Sequence, residues 1–332
     1  MNRAVTLAER PTGFPTEESF ALVESPVPGP GPGEVLVRVL WTSVDPYQRS
    51  RMSSARSYAK PVEVGEVMTA QSAGVVVESN DSRVAPGDHV VGQLGWQEYA
   101  VARGGALRNV PDGVPLPLTL HVLGMHGLTA YFGLFDVAQP RPGDTVVVSS
   151  AAGAVGQVVG QLAKIAGCRA VGIAGGPEKK ANLVELYGYD AAIDYKGEDV
   201  RAALKEACSG GVDVYFDNVG GELSTAVYPR LNVGARIAVC GQISQYNLEQ
   251  PQPSVHPGVL IVFRARMQGF LVTDYAHRYD EAIPRLARWV AEGALRYRED
   301  VTVGLENAPR AFIGMLRGEN RGKTLVQVAE ES

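Results

Sequence analysis

The chain has 332 residues, 45% hydrophobic and 20% charged, so it carries ample apolar material for a core and a largely disordered chain is excluded. Its formal charge is −5 and no Lys/Arg-rich block occurs, which argues against a phosphate-neutralising surface and against a nucleic-acid partner. Cys168, Cys208 and Cys240 stand alone, without a CxxC pair or a His at ligand spacing, so neither a disulfide framework nor a metal site is expected.

The length suggests about two domains. The first part of the chain reads as β-rich. Residues 34–40, 73–78 and 88–92 alternate and carry β-branched side chains. Gly/Pro turns at residues 28–33 and 86–88 separate them, which predicts a small barrel or sandwich. Beyond residue 120 the pattern changes. Strand-like runs at 144–149, 169–174, 191–194, 212–217, 235–240 and 267–272 alternate with helical segments, among them 178–187 and 199–208. Such alternation predicts a parallel, doubly wound α/β sheet. Helices near 278–292 and 309–316 follow, then an alternating strand at 322–328 that most simply rejoins the first domain. The N-terminal stretch has no apolar segment of the signal-peptide kind, and no run of about 18 apolar residues occurs. A cytoplasmic protein with no membrane partner is expected.

Residues 146–160 are the most informative. A buried-type strand leads into a small-residue turn and then a helix, the order a pyrophosphate site requires. Gly153 lets the backbone approach a ligand, and Gly156 lets the helix sit close to the sheet. Ala151 stands where the first glycine of G-x-G-x-x-G is usual. The next strand ends in Ala174-Gly175-Gly176, without the carboxylate that would bind an unphosphorylated ribose. Pro177 opens a helix, and Lys179 and Lys180 follow, placed to meet a 2′-phosphate as point charges. The dinucleotide is therefore read as NADP(H).

With those residues, the sequence resembles the zinc-independent medium-chain dehydrogenase/reductases, and within them the NADPH-dependent double-bond reductases (the prostaglandin, leukotriene B4 and curcumin reductase group). Six stretches carry the resemblance: residues 43–49, 127–133, 149–156, 215–221, 240–247 and 318–324. It implies a GroES-like β-barrel domain from residues 1–120 and 300–332, and a Rossmann domain from 121–299. Gly153, Ala154, Val155 and Gly156 would hold the pyrophosphate, Lys179 the 2′-phosphate, and Tyr195 the adenosine part. Asn218 would meet the ribose region. Cys240, Gly241, Ile243, Ser244 and Tyr246 would line the nicotinamide side. Phe270, Leu271 and Val272 would cover the ring, Asn320 would reach the cofactor from the tail, and Met125 and Thr129 would lie near the nicotinamide. The Cys and His ligands of the zinc alcohol dehydrogenases are missing at residues 42–45 and 65–70. A homodimer is implied as well, with strand 267–272 as a pairing edge.

Reducing a C=C conjugated to a carbonyl needs a hydride at the β-carbon and a donor at the developing enolate oxygen. Tyr246, in a loop after a parallel strand, is the candidate donor. The α-carbon proton comes from Tyr246 or from water. Tyr47 reads either as a substrate contact or as a domain-interface anchor beside an Asp45–Arg49 ion pair. Residues 52–60 have the composition of a lid and 250–257 that of an opposite rim, with His256 a solvated loop residue. Two other readings stand beside an enone/enal reductase. One is a quinone reductase using the same cofactor loop. The other is an NADPH-binding protein without turnover.

Overall fold

The computed structural model of the chain describes residues 1–250, 252 and 258–331. The chain divides into one unit of Met1–His121 with Glu299–Ser332, and a second of Val122–Arg298. The first contains β1 (Asn2–Leu7), β2 (Phe20–Ser25), β3 (Glu34–Ser43), β4 (Gln71–Ser79), β5 (His89–Gln93), β6 (Tyr99–Arg103) and β7 (Arg108–Asn109). The second holds β8 (Thr145–Ser149), β9 (Arg169–Ala174), β10 (Ala191–Asp194), β11 (Val212–Asp217), β12 (Leu231–Val239) and β13 (Arg266–Gly269). The chain then returns to the first unit with β14 (Glu299–Val303) and β15 (Lys323–Gln327).

Alternation in β3 organises the first unit. Val35, Val37 and Val39 point into one cluster with Val76, Val90 and Leu94. Bulges at Leu36/Val37 and Val39/Trp41 shift the register, so Leu40 and Trp41 enter a second cluster with Val91, Leu116 and Leu325. One edge of β3 carries β4. The other edge is shared: β6 takes Glu34–Arg38 and β15 takes Trp41–Ser43. The tail strand thus joins the N-terminal sheet. The resulting sheet runs β14-β15-β3-β4-β5-β7 and branches at β3. Among the described residues the outer strands of this path, β14 and β7, do not pair with each other, and single bridges from Ala4 to Gln97 and from Thr6 to Val67 tie β1 to the same unit.

The second unit is a six-stranded parallel sheet of order β10-β9-β8-β11-β12-β13. Val146, Val147, Val148, Val171, Val212 and Val214 are fully buried, as strands covered on both faces demand. Strand order reverses between β8 and β11, whose residues pair from Val146↔Val214 to Val148↔Phe216. In such sheets a ligand sits outside the carboxyl ends of the strands at that reversal. β12 starts earlier than alternation alone suggests, at Leu231, and β13 ends earlier, at Gly269.

Candidate active site

At the carboxyl end of β8 the chain turns through Ser150, whose φ of 49° is unusual for a residue with a side chain, and enters the helix Gly156–Ile165. The Gly153 N–H donates to Ser150 O at 2.9 Å, and Gln157 N–H to Gly153 O at 3.0 Å. A Cβ on Gly156 would lie 2.3 Å from Ser150 O and 2.6 Å from Ala151 Cα, so only glycine lets the helix come this near the strand end. Ala151 and Ala152 are buried, while Gly153, Ala154 and Val155 are half-buried at the helix entry. The Ala151 departure has a local explanation. Its methyl lies 2.9 Å from where a Cβ on Gly172 would be, so the missing side chain in β9 makes room for it. This is a cradle of small residues with helix N–H groups at its mouth, and it fits a pyrophosphate.

β9 ends at a second glycine turn. Gly176 has φ of 94° and caps the helix Pro177–Glu185, with Pro177 at its first position and Lys179 and Lys180 in its first turn. Asp194, the last residue of β10 and 7% exposed, accepts the Gly176 N–H at 2.6 Å and the Lys196 N–H at 3.0 Å. The Gly176 N–H, with help from its neighbours, holds the Asp194 carboxyl below the usual aspartate range. Tyr195 lies over Gly175, its ring carbons 2.8 and 2.9 Å from where a Cβ would stand. Lys180 pairs with Glu198.

The third element of the site is centred on Asp217, the last residue of β11 and 2% exposed. Its Oδ1 accepts from Ser149 Oγ at 3.2 Å, Tyr215 OH at 3.0 Å, Val219 N–H at 3.0 Å and Gly220 N–H at 2.9 Å. Its Oδ2 accepts from Ser224 Oγ at 2.6 Å. Its main-chain carbonyl accepts the N–H groups of Cys240 at 2.8 Å and Gly241 at 3.1 Å. Asn218 closes the strand reversal from the other side: its N–H donates to Ser149 Oγ at 2.8 Å and its Nδ2 to Ser149 O at 2.7 Å. Ser244 Oγ donates to Val219 O at 2.7 Å. The loops after β8, β11 and β12 are therefore one hydrogen-bonded assembly. Burial pushes the Cys240 thiol up to about 12 and Asp217 adds to the shift, so the thiol is neutral at physiological pH. Tyr246 folds back over this assembly. Its hydroxyl accepts the Gln242 N–H at 3.3 Å and lies 3.4 Å from where a Cβ on Gly241 would be.

Comparison with known proteins fixes the family. Residues 3–110 match the family described as the N-terminal domain of oxidoreductase, and residues 154–288 the family described as zinc-binding dehydrogenase. The chain is 45% identical over 335 residues to the NADPH-dependent curcumin reductase of Escherichia coli (strain K12), covering 99% of this chain and 97% of the other. It is 43% identical over 338 residues to the NADP(+)-dependent 2-alkenal reductase of Nicotiana tabacum, covering 99% and 98%. The crystal structure of CurA in complex with NADPH from Vibrio vulnificus aligns at 45% identity with a TM-score of 0.95, covering 99% of this chain and 100% of that one. The chain belongs to the zinc-independent medium-chain dehydrogenase/reductases.

Within this medium-chain oxidoreductase, no group of three or more His, Cys, Asp or Glu is placed to hold a metal among the described residues. Phe270 packs edge-on against Phe216, centroids 6.3 Å apart, and its ring tip lies 2.4 Å from where a Cβ on Gly133 would be. Leu271 and Val272 follow it into a 3₁₀ segment. Thr129 Oγ1 donates to Met125 O at 2.6 Å, one helical turn back. In the other unit, Asn320 Nδ2 donates to Gly322 O at 2.7 Å. Tyr47 begins the short helix Tyr47–Arg51 and is half-buried, with its hydroxyl oxygen shielded from solvent; burial raises its phenol far above the usual range, and Asp45 adds to this. Asp45 pairs with Lys323 at 2.9 Å, both side chains buried, and Arg49 Nη2 donates to Pro11 O and Gly13 O. The expected rim and His256 lie outside the described residues, apart from Gln250 and Gln252. Ser149 and Asp217 were missed as site residues from sequence. The available signal was a buried polar residue, Ser149 and Asp217, ending each of two strands with apolar centres.

Proposed function

We propose that this oxidoreductase reduces the C=C bond of α,β-unsaturated aldehydes and ketones, with NADP(H) as its cofactor and Tyr246 as the group that steadies the enolate. The cofactor reading rests on the glycine cradle at Gly153–Gly156 and on relatives named as NADP-dependent reductases of curcumin and 2-alkenals. When bound, NADPH supplies a hydride to the β-carbon. Gly153, Ala154, Val155 and Gly156 would hold its pyrophosphate and Lys179 its 2′-phosphate, with Tyr195 beside the adenosine. Asn218, Cys240, Gly241, Ile243 and Ser244 stand at the strand ends where the nicotinamide part belongs.

The observation that carries the mechanism is the phenol of Tyr246 over the Gly241–Gln242 turn. That turn is one strand from the β8/β11 reversal. As the β-carbon gains its hydride, the C=C electron pair moves toward the carbonyl and charge collects on oxygen. The Tyr246 O–H donates to that oxygen and lowers the barrier without a metal. The α-carbon then takes a proton from Tyr246 or from water, and the saturated carbonyl leaves.

The decisive assay follows NADPH oxidation with 2-alkenals, enones and quinones, using cofactor deuterated at the transferable position. Deuterium at the β-carbon of the saturated product is expected. Turnover of quinones alone, or tight NADPH binding with no oxidation, overturns the reading. We further propose a homodimer paired through β13, the outer strand of its sheet, next to a helix that exposes Ile261 (76%) and Val262 (63%). A cytoplasmic location accords with the unpaired cysteines.

A further inference from the structure

The turn that ends β9 carries more cationic machinery than Lys179. Asp194 Oδ1 accepts the N–H groups of both Gly176 and Lys196, so one buried carboxylate locks the backbone of Lys196 to the glycine turn. Tyr195 N–H donates to Ala174 O at 3.0 Å and fixes the same stretch to the end of β9. The Lys196 side chain then runs back across the turn. Its Cε lies 3.0 Å from where a Cβ on Gly175 would stand, next to the Tyr195 ring over the same glycine. Any side chain at Gly175 would displace both.

The other charges at this turn have partners of their own. Lys180 is paired with Glu198, and Glu178 faces Arg298 at 3.7 Å. Asp194 faces backbone N–H groups. Among the described residues no carboxylate lies within ion-pair distance of the Lys196 ammonium, and Lys196 is exposed. An exposed cation held over a glycine turn, at the strand end that discriminates between dinucleotides, is placed to meet a phosphate rather than a ribose hydroxyl.

We propose that Lys196 is a second cation for the 2′-phosphate and a determinant of the preference for phosphorylated dinucleotide. This rests on the NADP(H) reading and extends it to a residue on the neighbouring strand end. Two cations approach the phosphate from different elements, Lys179 from the helix after β9 and Lys196 from the turn after β10. Tyr195 lies between them in sequence, with its ring over Gly175 beside the expected place of the adenosine.

The test is calorimetric titration of the full chain with 2′,5′-ADP and with 5′-ADP, for the wild type and for Lys196→Ala, Lys196→Gln and Lys196→Arg. Lys196→Ala and Lys196→Gln should weaken 2′,5′-ADP binding about tenfold, the scale of one charged hydrogen bond, and leave 5′-ADP binding unchanged. Lys196→Arg should retain most of the discrimination. The ratio of kcat/KM for NADPH over NADH should fall in parallel, chiefly through a raised KM for NADPH. If Lys196→Ala binds 2′,5′-ADP like the wild type, or loses both ligands equally, the inference is overturned. If the wild type itself fails to prefer 2′,5′-ADP, the NADP(H) reading fails first, and the two failures are distinguishable.

Discussion

Ser149 and Asp217 end the two strands between which the sheet reverses, and Ser149 Oγ donates to Asp217 Oδ1 at 3.2 Å across that reversal. The same Oγ accepts the Asn218 N–H, so one hydroxyl links both strand ends. Removing the Asp217 carboxylate orphans donors from Tyr215, Val219, Gly220 and Ser224 in a dry environment. Asp217→Ala should therefore cost about 3 kcal/mol or more of stability, and Asp217→Asn, which keeps one acceptor oxygen, about 1–2 kcal/mol. Thermal unfolding reads the first effect. Fluorescence titration with NADPH reads the second consequence, a weakened affinity that follows disorder of the loops after β11 and β12. A variant of unchanged stability and affinity would remove Asp217 from this role.

Tyr246→Phe keeps the ring and deletes the donor. Loss of a single oxyanion donor commonly lowers turnover about 10²–10³-fold. The expected signature is a fall of that order in kcat for enone reduction, with KM for NADPH close to the wild-type value. Pre-steady-state mixing of enzyme, NADPH and enone isolates the chemical step. If that step is as fast in the variant, the enolate is stabilised elsewhere.

Parallel strands and the glycine turns that follow them were legible because their physics is local. β9, β10 and β11 keep the bounds read from the sequence, residues 169–174, 191–194 and 212–217, because each carries a short run of buried apolar side chains. Pro177 announced its helix by its fixed φ, and the structure shows the following helix capped by Asp199, which accepts from the Arg201 and Ala202 N–H groups. β1, β2 and β14 were not legible. Four of the six residues of β2 are exposed, and β14 is mostly charged or exposed, so neither carries a buried alternation to read. The hub at Asp217 was hidden for another reason. Its importance lies in donors spread from Ser149 to Gly241, and no spacing rule links positions about 90 residues apart. The pairing of Asp45 with Lys323 spans 278 positions and escaped for the same reason.

Two glycines of the cradle should respond differently to a methyl group. At Gly156 a Cβ meets Ser150 O at 2.3 Å and Ala151 Cα at 2.6 Å, both backbone, so relief requires the helix to move off the strand. At Gly153 the nearest atoms are Ser150 Oγ at 3.0 Å and Ser150 O at 3.1 Å, a contact a small shift can absorb. Gly156→Ala should lose about 2–3 kcal/mol of stability, whereas Gly153→Ala should stay within about 1 kcal/mol of the wild type. Gly153→Ala should nevertheless weaken NADPH binding, because its methyl occupies the approach to the pyrophosphate. Paired melting curves and NADPH titrations separate the two effects. Equal stability losses would mean that the cradle is not built around Gly156.

Asp194 makes the glycine turn after β9 acid-sensitive in a definite direction. Its carboxyl is held below the usual aspartate value, chiefly by the Gly176 N–H, then by those of Lys196 and Gly197. A depressed folded-state value means that the ionised form stabilises the native chain above the unfolded value of about 3.9. That contribution disappears as pH falls through the lower folded value. Asp194→Asn retains a carbonyl acceptor but carries no charge at any pH. The melting temperature of the wild type should exceed that of Asp194→Asn by a constant margin from neutrality down to about pH 5, and the margin should shrink below about pH 4. Scanning calorimetry on both proteins across that range makes the comparison. A margin that stays level into strong acid would show that the Asp194 charge does not hold the turn, and the anchoring of both Gly176 and Lys196 would then need another source.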